Sequence, residues 1–240
     1  MLPQNASQPF NAGTFTPAQV AAEQAAFMRK VFAIMALGLG ATGLTALVVF
    51  NSTAATQFIF GTPGVYLGLI IAELIVVFSF ASLARRMSAV GAAGLFYVYA
   101  ILNGLTLSVV FLIYTKGSIA STFFVTAGTF GAMSAYGYVT KRDLTSMGSF
   151  MFMGLIGLIL ASVVNMFLRS EMIYWVTTYA GILIFVGLTA YDTQKIKELN
   201  VIGNAGTDED NKEAIHGALI LYLDFINLFL YLLRLLGRRR

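Results

Sequence analysis

Cysteine is missing from all 240 residues, so neither a disulfide nor a thiolate metal site can form within the chain. Histidine occurs once, at His216, which excludes a multi-histidine metal centre in a single chain. The phosphate-cradling pattern GxxxxGK[ST] is also absent, so no bound nucleotide is expected to drive this protein. Charge is scarce. Only 11% of residues are Asp, Glu, Lys or Arg, against about 25% in a soluble domain. Water is therefore not expected to be the main solvent. The net charge of +4 is small. It is better read through its placement along the chain than as a signal for nucleic acid.

What is present is hydrocarbon: 58% of the residues are hydrophobic. Runs of about 20 apolar residues can cross a bilayer as helices. Seven such runs are found, at Val31–Phe50, Val65–Ala84, Val90–Tyr114, Ile119–Val139, Met147–Leu168, Met172–Tyr191 and Ala214–Leu236. The expected architecture is an all-α, polytopic membrane protein. Residues 31–240 form one seven-helix domain, and residues 1–30 form a polar N-terminal segment. Within that segment "TPAQ" offers Thr16 as an N-cap, Pro17 at N1 and Gln19 at N3, so a short helix is predicted from Pro17. A signal peptide is not expected, because the basic pair Arg29–Lys30 comes late and the apolar run after it is long enough to span. The connections are short except Gln194 to Glu213, which carries "GNAGTDEDNKE". Glycines inside the spans (Gly38, Gly40, Gly43, Gly128, Gly131, Gly154, Gly157) are expected to let helices approach within the monomer.

Orientation follows from the basic residues. A cytoplasmic N-terminus puts Arg29, Lys30, Arg85, Arg86, Lys141, Arg142, Lys195, Lys197 and Lys212 inside, and only Lys116 and Arg169 in outer loops. Lys and Arg collect on the cytoplasmic side, so the N-inside orientation is expected. Arg234, Arg238, Arg239 and Arg240 run against this rule, since seven full crossings place them outside. The last segment is long enough to cross, and a full crossing is expected rather than a re-entrant return.

Three acids lie within apolar runs, where a charge costs at least ~2.5–3.5 kcal/mol on insertion scales and usually pairs or lines a wet cavity. Asp224 is flanked by hydrocarbon, with Asn227 on the same helix face at i+3. Asp192, in "AYDTQKIK", is placed at the C-terminal end of the sixth span, where the helix dipole disfavours a negative charge. Glu73 is mid-way along the second span. Asp192 and Asp224 both fall in the inner half, and Arg85–Arg86 close the inner end of the second span. Two carboxylates brought together cannot both ionise cheaply, so such a pair holds a proton. When ionised and hydrated, its oxygens suit a hard cation such as Ca²⁺. The residues alone point to a membrane site for protons or cations.

The pair of motifs "AYDTQKIK" and "LYLDFINLFLYLLRLLG" resembles the hallmark of the Bax inhibitor-1 family (transmembrane Bax inhibitor motif proteins). "YGYVTKRDLTSMG" and "RKVFAIMALGLGATGLTA" are similar to bacterial members. The resemblance covers nearly all of the seven spans. It implies a fold in which the last helix is surrounded by the other six. It also implies a pH-sensitive calcium leak of the inner (plasma) membrane, with Asp192 and Asp224 as the paired-aspartate sensor and cation ligands. A family arginine that latches this pair corresponds to Arg85 if "SAVG" is aligned, or to Arg86 if residues are counted from Glu73.

The expected function is thus a proton-regulated cation leak and not an enzyme, with no cofactor and with Ca²⁺ as the transported ion. The alternative is a membrane adaptor that binds other membrane proteins, such as a protease or a death regulator. An aspartyl intramembrane protease is disfavoured because its "GxGD" pattern is absent. His216 is expected to sit at the membrane edge rather than act as a base. Glu73 and Asn227 stand as secondary site candidates, and the lipid bilayer is the one certain partner.

Overall fold

The computed structural model describes residues 15–83 and 86–240, the side chains of residues 81–83 excepted. Residues 1–14 of the polar segment lie outside the described residues, and so does Arg85.

The described chain is helical, with nine helices: α1 (Pro17–Asn51), α2 (Thr53–Gly61), α3 (Val65–Leu83), α4 (Ala89–Leu107), α5 (Val109–Ile113), α6 (Lys116–Val139), α7 (Thr145–Leu168), α8 (Glu171–Leu199) and α9 (Asp208–Leu236). Their starts are written in hydroxyl residues, whose side chains accept from the otherwise unpaired first amides. Thr16, Ser88, Thr115, Ser170 and Thr207 cap α1, α4, α6, α8 and α9 in this way. At α1 the full capping box forms: Thr16 N donates to Gln19 Oε1 at 2.8 Å, and Gln19 N donates to Thr16 Oγ1 at 3.3 Å. The short helix expected from Pro17 is therefore the first turns of one continuous helix that runs to Asn51.

Helix also continues past the apolar runs at the other polar end. α8 extends to Leu199 and α9 begins at Asp208, so the long polar connection expected from Gln194 to Glu213 shrinks to residues 200–207. Lys195, Lys197 and Glu198 are good helix formers and keep the backbone bonded after the hydrocarbon ends. The acids Asp208, Glu209 and Asp210 in the first turn of α9 favour its positive end.

Among the described residues, five helical segments are long and apolar enough to cross a membrane: Pro17–Asn51, Ala89–Ile113, Thr145–Leu168, Glu171–Leu199 and Asp208–Leu236. A sixth is made by Thr53–Gly61 with Val65–Phe80, bent by 83°. α6 is 24 residues long but its sequence is diluted by ten Gly, Ser and Thr residues. Length and composition thus carry five or six of the seven expected spans. Large side chains such as Phe78, Phe124 and Phe167 are exposed around the bundle, a surface that suits lipid rather than water.

α9 is the central helix. It packs on α1, α4, α6 and α8, while α3 stands behind α4 and α7 behind α8. Leu221, Tyr222 and Leu228 of α9 are fully enclosed. The Tyr222 hydroxyl meets Thr42 Oγ1 at 2.7 Å, which satisfies the one polar atom this ring takes into the core. On the α6 side Phe225 packs edge-on against Phe123 and Phe130.

The polar contacts sort the molecule into two ends. At one end Lys30 bonds Asp210 at 2.9 Å, the Gly203 amide donates to Glu23, and the Ala89 amide donates to Asp208. At the other, Thr115 N donates to Arg238 O at 3.0 Å and Arg240 N to Ile113 O at 2.9 Å. α9 therefore runs unbroken from one of these ends to the other, and is long and apolar enough to cross a membrane.

The glycines that create close approach are mostly not the expected ones. Cβ atoms at Gly40, Gly43, Gly128, Gly131 and Gly157 would meet nothing within 4 Å, whereas Gly38 faces Phe96 and Gly154 faces Ile184. The tightest contact is at Gly137 of α6, which lies against the Ala190 backbone of α8.

Candidate functional site

Gly217, Asp224 and Tyr231 recur every seven residues along α9, so they share one face. That face meets α8. A methyl group added at Gly217 would strike Ile196, and one added at Gly181 would strike the Tyr231 ring. In this antiparallel packing Asp224 and Asp192 come near one another, within about a helical turn of the same level, and their carboxyl groups interact. The two acids singled out in the sequence are thus near neighbours. The position of Asp192 differs from expectation, however. α8 continues seven residues beyond it, to Leu199, so Asp192 sits inside the helix and the dipole at the helix end is not its constraint.

Asp224 is buried, and its Oδ2 has no hydrogen-bond partner in the protein. A buried, unpartnered carboxylate oxygen is costly unless a proton, water or cation meets it. Asp192 is half-buried. Both acids line a cavity of about 1170 Å³ that is bordered by Leu74 and Val77 of α3, by Tyr99 of α4, and by Ser149, Phe152 and Ser162 of α7. α9 forms its back wall.

Asn227 lines the same cavity, as its i+3 spacing from Asp224 implies. Its amide nitrogen donates to the Leu223 carbonyl at 2.8 Å. Glu73 is not at the pair. Thr106 Oγ1 donates to its Oε1 at 2.6 Å, and Asn103 Nδ2 reaches its Oε2 at 3.5 Å. Asn103 Nδ2 also lies 3.5 Å from the Tyr99 hydroxyl, and Tyr99 lines the cavity. A polar run thus leads from Glu73 to the wall of the aspartate cavity.

Arg86 does not latch the pair. It lies exposed in the turn after α3, and among the described residues it has no ion pair or hydrogen bond with either aspartate. The physical reason is that α3 packs on α4 and leaves its polar end at the surface, in the manner of an interfacial anchor. Arg85 is outside the described residues. His216 stacks on Phe80 with ring centroids 6.1 Å apart, half-buried in the bundle.

Two further residues shape the site without having stood out in the sequence. Gln194, two positions after Asp192, accepts from Leu144 N at 2.9 Å and donates to Arg142 O at 2.8 Å. It clamps the α6–α7 connection onto α8. In the same connection, two bonds from Thr145 hold the exposed Asp143 carboxyl below its ordinary value of 3.8. Asp210 is buried, 5% exposed, and takes bonds from Lys30 and from the Gly206 amide. In the sequence it is one acid of the polar connection "GNAGTDEDNKE". Only the fold separates it from Asp208 and Glu209, which stay exposed.

Comparison with known proteins gives consistent matches. The family model described as inhibitor of apoptosis-promoting Bax1 matches residues 24–240. The inner membrane protein YbhL of Escherichia coli K12 is 50% identical over 215 residues, covering 89% of this chain and 92% of that protein. An uncharacterized protein of Rickettsia prowazekii is also 50% identical over 215 residues, covering 89% and 90%. One from Borreliella burgdorferi is 44% identical over 214 residues, covering 89% and 92%.

Proposed function

This chain belongs to the Bax inhibitor-1 family, and from that premise we propose that it is a pH-sensitive cation leak of a bacterial inner membrane, with Ca²⁺ as its cargo. Its N-terminus is cytoplasmic in this reading, and it is a transport protein rather than an enzyme. The observation that carries the reading is that buried Asp224 and half-buried Asp192 line one cavity of about 1170 Å³. A proton shared by the two acids halves the negative charge of the pair. Loss of that proton leaves carboxylate oxygens facing the cavity.

In this reading the site passes a cation and does not store it. Ca²⁺ takes six to eight oxygen ligands when tightly held. Among the described residues no cluster of three or more acidic or histidine side chains could hold a metal ion. The remaining ligands would be water and neutral oxygens such as that of Asn227, which suits a hydrated ion in passage.

The sign of the pH effect follows. Raising the pH ionises the pair and strengthens its attraction for a cation. Among the described residues no lysine or arginine forms an ion pair with either acid, so in this reading the attraction for the cation sets the sign. Flux of Ca²⁺ into proteoliposomes should therefore rise with pH in the wild type. Asp224→Asn should flatten the profile and lower the flux at high pH by about tenfold, equivalent to the loss of ~1.4 kcal/mol of cation attraction. An unchanged pH profile in both Asp192→Asn and Asp224→Asn would place the sensor elsewhere. No flux from the folded wild type would favour the adaptor reading instead.

A further inference from the structure

The end of the molecule opposite residues 200–207 carries basic charge that the positive-inside rule disfavours there. At this end the C-terminus of α7, the N-terminus of α8 and the C-terminus of α9 enclose a second cavity, of about 530 Å³. Arg169, Arg234 and Arg239 border it, together with Ser170, Tyr174 and Trp175. Its lining contains one acid, Glu171. Among the described residues none of the three arginines forms an ion pair.

Each arginine is held in place by something other than a carboxylate. Arg169 caps α7 in the left-handed conformation, φ 51° and ψ 33°, a backbone position where glycine is the ordinary choice. The Arg234 guanidinium lies 4.9 Å from the Tyr174 ring centre and 5.3 Å from that of Tyr231. Arg239 Nη2 donates to the Tyr174 hydroxyl at 3.2 Å, and its backbone bridges to Tyr114. The first amides of α8, a 29-residue helix, add their positive end beside Ser170.

We propose that Arg169, Arg234 and Arg239 bind the phosphate of an anionic phospholipid headgroup. Guanidinium groups pair with phosphate oxygens through two parallel N–H donors, and three of them around one cavity match a phosphodiester. The location selects a lipid over a soluble anion. Met172 and Phe167, flanking the cavity on α8 and α7, are 77% and 76% exposed, as lipid-facing side chains are. Tyr174 and Trp175 mark the membrane–water boundary, where such rings concentrate. A headgroup seated on the arginines would run its acyl chains down the outside of α7 and α8. The basic end that conflicts with the topology rule thereby gains a ligand as its reason. Under the orientation proposed above, the lipid belongs to the outer leaflet.

The test measures thermal unfolding of the full chain in mild detergent, with phosphatidylglycerol, phosphatidylcholine or inorganic phosphate added. Phosphatidylglycerol should raise the Tm of the wild type. Arg169→Gly removes one guanidinium and also relieves the left-handed backbone. It should therefore be at least as stable as wild type without lipid, yet bind phosphatidylglycerol about tenfold more weakly. Arg239→Gln should show the same loss, and Arg86→Gln, at the opposite end, should not. An undiminished lipid response in both Arg169→Gly and Arg239→Gln overturns the site, and so does no response in the wild type. An equal response to phosphatidylcholine overturns the anionic headgroup. An equal response to inorganic phosphate alone overturns the lipid.

Discussion

Asp224 is 5% exposed, and one of its carboxyl oxygens has no partner in the protein. Its environment supplies Asp192, a cavity and little else, which is why proton and cation occupancy are coupled there in the function proposed above. Arg86 has the opposite surroundings: an exposed turn, with no hydrogen bond or ion pair to either aspartate. Groups in contact show non-additive substitution effects, and separated groups add. Arg86→Ala is therefore expected to change flux by the same factor in the wild type and in the Asp192→Asn/Asp224→Asn background, within ~0.5 kcal/mol. A much smaller effect in the double-Asn background would show that Arg86 reaches the pair in a conformation other than the one described.

At the scale of the element, the aspartates depend on how closely helices approach. α8 is fixed against α9 by Gly217 and Gly181, and against α6 by Gly137, which touches the backbone of Ala190, two residues before Asp192. A methyl group at Gly137 has no flexible side chain to displace. Gly137→Ala should therefore destabilise the protein by about 1–3 kcal/mol, the range for overpacking, and should shift Asp192 along with α8. Gly131 lies on the same helix with nothing within 4 Å of the added atom. Gly131→Ala should be neutral or stabilising by up to ~1 kcal/mol, since alanine is the better helix former. Unfolding of the two variants in the same detergent decides the matter. Equal losses would mean that the α6–α8 contact is looser than described.

For the whole molecule, the two polar ends are what a membrane would separate. Asn204 lies at the end with Glu23, Lys30 and Asp208, while Ser118 at the other end accepts from the Arg238 amide. The absence of cysteine makes single-cysteine labelling clean. Asn204→Cys should react only from the cytoplasmic side, and Gly117→Cys, with open space around it, only from the other. Labelling of both from one side would contradict α9 as a full crossing. Labelling of Asn204→Cys by an impermeant reagent on intact cells would instead invert the orientation and leave the fold standing.

Much of this was legible in the chain because hydrocarbon length, capping and charge are local properties. The apolar runs mark where most of the helices lie, "TPAQ" marks the start of the first, and acids isolated in hydrocarbon announce themselves at Asp192, Asp224 and Glu73. The heptad of Gly217, Asp224 and Tyr231 was there to be read as well, although its meaning needed the partner helix. What only the tertiary structure decided are relations between segments far apart in sequence. Asp210 is buried because Lys30 arrives from α1, 180 residues earlier. Gln194 becomes a clamp because the α6–α7 connection folds back onto it. Arg86 stands away from the pair because α3 ends at the surface. Arg169, Arg234 and Arg239 converge because α9 runs the length of the bundle and the residues after it pair with residues 113–115. A local pattern states what each residue can do. Packing chooses the neighbour with which it does it.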